Sequence, residues 1–320
     1  MNLARIPRID EATLGQLVPM GHAIAVVEKQ LRDGLPESTD GLPRSAAHLD
    51  AGQLLFMPAL LGGYAGVKLA AVAPGNVEHG LPRVTGVYVL LDAQTLVPLA
   101  LLDGAALTAL RTPAVSAVAV GHLAVADAAR VVVFGTGPQA WRHVEAVRAV
   151  RPITHVDVVG RHAGRTHDFV ARCADTGLTA TASGADAVEK ADIVLCCTSS
   201  ATPLFPGTLI PRHATVVAVG SHEPAAREVD TQLVRASTVV VERRSAALRE
   251  AGDLLIPLHA GDIRADHIAG DLVDLVAGRV RTTGTVPRLF KSVGMAWEDL
   301  LIAAAAYELR RADSDLPLWL

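Results

Sequence analysis

The run Val131-Val132-Val133-Phe134 leads directly into Gly135-Thr136-Gly137-Pro138-Gln139-Ala140, a G-x-G-x-x-A string. Glycine at 135 lets the backbone turn sharply as it leaves a strand. Glycine at 137 lets an anion approach the main chain, and Ala140 is small enough for a helix to pack closely on that strand. Pro138 near the first helical turn lacks an N–H where that donor would be unpaired anyway, and the remaining first-turn N–H groups and the helix dipole face the anion. That anion is the pyrophosphate of a dinucleotide. The next strand-like run ends Val159-Gly160-Arg161-His162, with Arg165 one helical turn on. An enzyme using NAD has an acid at that strand end, accepting hydrogen bonds from ribose hydroxyls. Asp157 comes two or three positions too early, and an acid would repel a 2′-phosphate. Gly160 makes room for one, and Arg161 can pair with it through a charge-assisted fork. Arg161, His162 and Arg165 therefore point to NADPH in preference to NADH; the alternative is that the two arginines only begin a solvated helix. Thr198, Ser199, Ser221 and His222 close two further strand-like runs, at the carboxyl ends where open α/β sheets bind ligands.

The elements that carry these residues follow from periodicity. Apolar spacings of three and four predict a helix over 10–35, ended at Gly34. Strands are predicted at 54–58, 64–70 and 86–91, with a further one at 97–104. The turns Gly62-Gly63 and Pro74-Gly75-Asn76 between them suit an antiparallel sheet. From Leu107 the pattern is helical, and Pro113 marks either a bend or a helix start. Beyond the glycine string, strands at 153–159, 179–181, 192–198, 215–219 and 238–241 alternate with helices at 139–150 and 165–176. The tail, 297–310, reads as a helix returning to the first domain. The predicted fold is α/β: a Rossmann-type doubly wound parallel sheet over 114–290, plus an α+β domain for substrate binding and dimerisation over 1–113, rejoined by 291–320.

Composition agrees. Half of the 320 residues are hydrophobic, 19% are charged and 3% aromatic, so small aliphatics build the core, as suits parallel strands covered on both faces. A formal charge of −4 with no basic stripe argues against nucleic acid. Of three cysteines, Cys196 and Cys197 are neighbours on a strand, point to opposite faces and are not expected to bridge. No His/Cys cluster has zinc-ligand spacing, so no metal is expected. Residues 1–11 lack an apolar signal core and no window reads as a membrane span, which makes the cytoplasm the expected location and a membrane an unexpected partner.

Several ordered blocks go beyond the glycine string: Met57-Pro58-Ala59, Val67-Lys68-Leu69, residues 107–112 with 114–117, Ala191-Asp192-Ile193-Val194, and Val219-Gly220-Ser221 with Pro224, Arg227-Glu228 and Asp230. Glu250-Ala251-Gly252-Asp253 and residues 290–296 with Asp299 complete the set. On these blocks the chain resembles the ornithine cyclodeaminase/mu-crystallin family over nearly its whole length. The resemblance implies homodimers that pair sheets between subunits, and substrates that are small α-amino or α-imino acids. It also implies a lysine and two arginines holding the substrate carboxylate, at Lys68, Arg111 and, less securely, Arg44. Thr112 and Val293, inside two of the blocks, join the expected cofactor contacts. A carboxylate does favour a bidentate guanidinium with a second fixed positive charge.

The chain departs from the cyclodeaminases two positions after Gly220, where those members have an acid and this one has His222; Glu223 comes one place too late. Histidine can donate a proton near neutral pH, or simply end a strand at the surface. The resemblance thus implies first a ketimine reductase passing hydride from NADPH to a cyclic α-imino acid, Δ1-pyrroline-2-carboxylate or Δ1-piperideine-2-carboxylate, to give L-proline or L-pipecolate. The alternatives are an ornithine-type cyclodeaminase with bound NAD, an open-chain amino-acid dehydrogenase or imino-acid synthase, and a non-catalytic NADPH-binding protein of the mu-crystallin kind.

Overall fold

A computed structural model describes residues 6–36, 39, 42–282 and 284–313. The expectations for residues 1–5 and 314–320 lie outside those described. The chain forms two compact units, Met1–Thr112 with Met295–Leu320, and Pro113–Gly294. The sequence predicts a return to the first unit at 291. Lys291 is instead the last residue of a strand in the second unit, and the N–H groups of Val293 and Gly294 bond Glu242 there.

The first unit begins with β1 (Arg8–Ile9), α1 (Glu11–Leu17) and α2 (Met20–Asp33). One helix was expected over 10–35; there are two, because Pro19 has no N–H with which to continue the first. The strands β2 (Ser45–Leu49), β3 (Gly52–Leu61), β4 (Tyr64–Val72), β5 (Val84–Asp92) and β6 (Pro98–Asp103) form a sheet with β1, in the order β1-β6-β5-β4-β3-β2. All pairs are antiparallel except β1 with β6. Side chains alternate between its faces. The cross-strand row Met57–Lys68–Tyr88–Leu102 is buried on one face. Ala296 packs against Leu55, Met57 and Ala70 on that face. The opposite face shows the rows Phe56–Leu69–Val87 and Pro58–Val67–Val89–Leu101.

Helix α3 (Gly104–Leu123) follows, capped by Asp103, whose Oδ1 accepts from the N–H groups of Ala105 and Ala106. Pro113 lies inside this helix, and the division between units falls there. Contrary to the sequence reading, α3 is long and apolar enough to cross a membrane by length and composition, yet 72% of its apolar window is buried in the protein, as a core helix would be.

The second unit alternates β7 (Arg130–Phe134), α4 (Pro138–Arg148), β8 (His155–Val159), α5 (Ala163–Asp175), β9 (Thr179–Ala182), β10 (Ile193–Cys196), β11 (Thr215–Ala218), α6 (Thr231–Ala236) and β12 (Thr238–Val241). Then come α7 (Arg244–Glu250), α8 (Gly252–His259), β13 (Ile268–Asp271), α9 (Leu272–Val276) and β14 (Arg288–Lys291), before α10 (Ala296–Asp313) completes the first unit. The eight strands form a parallel sheet in the order β13-β12-β14-β11-β10-β7-β8-β9. The α/β class and the Rossmann-type sheet are as the sequence predicts. The sequence predicts neither β13 nor β14; β14 is the last strand among the described residues yet sits between β11 and β12.

Candidate active site

Two sites are built, one in each unit. In the first, Lys68 on β4 is 2% exposed and faces the buried side of the sheet, opposite to Val67 and Leu69. Its Nζ donates to Thr108 Oγ1 at 3.0 Å. The same atom forms an ion pair with Asp299 Oδ2 at 2.7 Å. Arg111, one turn along α3 from Thr108, donates from Nε to Asp299 Oδ1 at 3.2 Å and from Nη1 to Glu298 Oε2 at 2.5 Å. Both acids are in the first turn of α10, where carboxylates also suit the helix dipole. Two cations and two anions are thus held together out of water, where a lone charge would be strongly disfavoured.

Burial pushes the Lys68 ammonium down to about 8, against the pull of Asp299 and with help from Arg111. Burial beside Asp299 raises Tyr88, the cross-strand neighbour of Lys68, well above its ordinary value, so its hydroxyl stays protonated. Gly66 makes that ring possible, since a Cβ there would lie 2.3 Å from the Tyr88 hydroxyl. Arg44 is half-buried, one residue before the β2 ladder. The β2 ladder begins with Ser45 paired to Phe56, so Arg44 lies just outside it. Lys68 and Arg111 are therefore brought together around Asp299, while Arg44 precedes β2, two strands from β4 in the sheet order. Thr112 follows Arg111 on α3 and is buried.

Asp299 entered the sequence reading only within a motif, and Glu298 not at all. Their signal was two adjacent carboxylates after Trp297 at the head of an apolar helix. Such acids read equally well as ordinary first-turn residues.

In the second unit, Gly135 leaves β7 at φ +106, and a Cβ on it would lie 2.6 Å from the Cys197 carbonyl oxygen. Gly137 is the N-cap of α4 with ordinary backbone angles, and no atom lies within 4 Å of where its Cβ would be. That empty space, before a helix opened by Pro138, fits a pyrophosphate against the main chain. Thr136 and Gln139 flank it, and Ala140 is fully buried against the sheet. Asp157 is engaged inside the sheet: it accepts from Arg130 Nε at 2.7 Å and from Ser183 Oγ at 2.9 Å. The strand therefore ends without a free acid. Arg161, His162 and Arg165 are exposed beyond it. An open cavity of about 810 Å³ is lined there by Gly160, Arg161, Thr166, His167, Ala182 and Ser183. A Cβ at Gly160 would meet Thr166 Oγ1 at 2.3 Å and the Thr136 methyl at 2.9 Å. Glycine is needed there to leave room for those two side chains.

Thr198 and Ser199 follow β10, Ser221 and His222 follow β11, and Val293 follows β14, so all five lie at the carboxyl ends of neighbouring strands. Ser221 and Val293 are buried, His222 half-buried and Ser199 exposed.

A Rossmann-type sheet with a pyrophosphate turn in the second unit, and a buried lysine–arginine pair in the first, define a dinucleotide-dependent oxidoreductase. The sequence model of the ornithine cyclodeaminase/mu-crystallin family matches residues 10–314, and the chain belongs to this family. A Δ1-pyrroline-2-carboxylate reductase from Bacillus cereus is 34% identical over 305 residues, which is 91% of this chain and 93% of that protein. The structure of Thermococcus litoralis Δ1-pyrroline-2-carboxylate reductase in complex with NADH and L-proline is 31% identical with a TM-score of 0.89, covering 96% of this chain and 98% of that one. An archaeal alanine dehydrogenase dimer with bound NAD is 26% identical with a TM-score of 0.89, covering 96% and 97%.

Proposed function

We propose that the protein is an NADPH-dependent reductase of small cyclic α-imino acids, taking Δ1-pyrroline-2-carboxylate or Δ1-piperideine-2-carboxylate to L-proline or L-pipecolate. The observation that carries this reading is the buried Lys68–Arg111 pair, a carboxylate anchor in a chain that also has a dinucleotide turn. The dihydronicotinamide, when bound, supplies the hydride for the imine carbon. Lys68 and Arg111 take the substrate carboxylate, and Asp299 and Glu298 hold both cations charged and aimed. Fixing the carboxylate orients the ring and its electron-poor imine carbon, the atom that would accept hydride. His222 is the candidate for keeping a proton at the ring nitrogen near neutral pH.

Arg161, with His162 and Arg165, supports NADPH over NADH, because the strand end offers a guanidinium fork and no acid for a ribose diol. The functional unit in this reading is a homodimer. Phe56, Leu60 and Val87 are 37%, 42% and 37% exposed on an apolar sheet face, which a second copy would cover.

The test is a panel read at the nicotinamide absorbance with both cofactors, using the two cyclic imines, an open-chain 2-oxo acid with ammonia, and ornithine. Oxidation of NADPH with a cyclic imine is expected. Lys68→Ala and Arg111→Ala should each reduce turnover at least a hundredfold, about 3 kcal/mol of transition-state stabilisation. Ammonia release from ornithine without net cofactor turnover would overturn the reading in favour of a cyclodeaminase.

A further inference from the structure

Three buried ionisable groups in the second unit have no part in the chemistry described so far. Glu228 and Asp253 are fully buried, and Lys291 is 1% exposed. Glu228 Oε1 accepts from both the N–H and the hydroxyl of Thr198, at 2.8 and 2.7 Å, while Oε2 accepts from Gly220 N–H at 2.7 Å. One carboxylate therefore clamps the turn after β10 to the turn after β11. The clamp is itself fixed. Asp253 Oδ1 accepts from the N–H groups of Glu228 and Val229 at 2.7 and 3.0 Å. Its Oδ2 lies 2.8 Å from Lys291 Nζ, which donates to the Ser221 carbonyl at 2.7 Å. There is no slack between the turns, since a Cβ at Gly220 would sit 1.9 Å from the Thr198 carbonyl oxygen.

The position of this network in the sheet gives it a use. The pyrophosphate turn follows β7, and the strand order runs from there through β8 and β9 on one side and through β10, β11 and β14 on the other. The β8 side ends in Arg161 and the open cavity, which suit the adenosine half of a dinucleotide. The β10–β11 side must then receive the nicotinamide half, across the point where strand order reverses.

We infer that Glu228 is a positioning residue: held by Asp253 and Lys291, it sets the separation of the Thr198 and Gly220 turns and so shapes the pocket for the nicotinamide half of the cofactor. A purely structural role would act on both halves of the ligand equally; a positioning role separates them. This inference rests on the dinucleotide reading of the sheet.

The experiment uses Glu228→Gln, which keeps the volume but replaces one acceptor oxygen with an amide donor that faces other donors. NADPH and NADH are titrated by nicotinamide fluorescence and 2′,5′-ADP by calorimetry, with thermal unfolding of the ligand-free protein alongside. The dinucleotide Kd is expected to rise about tenfold, or ~1.4 kcal/mol, while that of 2′,5′-ADP stays within about twofold. If Glu228→Gln does not fold, Thr198→Val, which removes the hydroxyl's bond to Glu228 and the one it accepts from Ser200 N–H but keeps the backbone bond, should shift the dinucleotide Kd in the same direction by about two- to fivefold. Equal weakening of both ligands, or no change in either, would overturn the positioning role. A wild-type protein that binds neither NADPH nor NADH would reject the dinucleotide reading itself, and this inference with it, before any variant is compared.

Discussion

Raising the pH should release the carboxylate anchor. Lys68 is the group in its cluster that changes charge between pH 7 and 9: its ammonium is depressed to about 8 by burial, whereas Tyr88 is raised well above 10. Arg111 stays a cation throughout that range, because a guanidinium does not titrate below pH 12. At pH 7 Lys68 is about nine-tenths charged and at pH 9 about one-tenth, so an anion that needs the ammonium loses affinity about tenfold over two pH units. The best probe is pyrrole-2-carboxylate, which keeps the ring and the carboxylate but has no imine to titrate in this range. Its inhibition constant should rise about tenfold from pH 7 to 9 and then about tenfold per further pH unit. Lys68→Arg should bind with a flat profile whatever its absolute affinity, because guanidinium does not titrate below pH 12. A flat wild-type profile, or the same slope in Lys68→Arg, would refute the argument. Stability has the opposite sign. The folded value lies below the unfolded value of about 10.4, so between about 8 and 10.4 the unfolded chain binds more protons, and the contribution of Lys68 to stability rises with pH. Unfolding free energies compared with Lys68→Met across that window would measure it.

The two glycines of the pyrophosphate turn should separate cleanly. Gly137→Ala meets no protein atom and should leave ligand-free stability within about 0.5 kcal/mol while weakening dinucleotide binding at least about tenfold. Gly135→Ala, at φ +106 and against a carbonyl, should cost about 1–3 kcal/mol of stability by denaturant unfolding. Wild-type kcat/KM should favour NADPH over NADH by at least about tenfold, and Arg161→Ala should remove most of that margin with little change for NADH; equal use of NADH by the wild type would reject the 2′-phosphate assignment. Sedimentation at micromolar concentration should give a dimer, and Val67→Asp on the open sheet face should give monomer; a monomeric wild type would leave that apolar face unexplained.

Much of this was legible because the physics was local. The glycine turn, the β-branched strands and the alternation that turns Lys68 away from Val67 and Leu69 each follow from a few neighbouring residues. The expectations failed where a distant partner decides. Lys68 alone could equally have faced solvent. Its burial depends on Asp299, more than two hundred residues later. Arg288-Leu289-Phe290-Lys291 does not read as a central strand, because both ends are charged. It becomes one because Arg288 Nε reaches the Leu123 carbonyl at 2.9 Å and Lys291 reaches Asp253. Pro19 gave a visible local stop, yet the apolar spacing on either side outweighed it in the reading of a single helix.

The late arrival of β14 has a consequence for how the chain folds during synthesis. Until residue 291 has emerged, β11 and β12 have no strand between them, and the second unit can only form two half-sheets with raw edges. Such edges and the apolar faces beside them pair readily with other chains. Closure of the sheet is a long-range event, joining residues 215–218 to 288–291 and then to 238–241, and contacts of that span are slow to form. A ribosome that stalls or terminates before β14 would therefore release a chain that aggregates instead of a smaller functional domain.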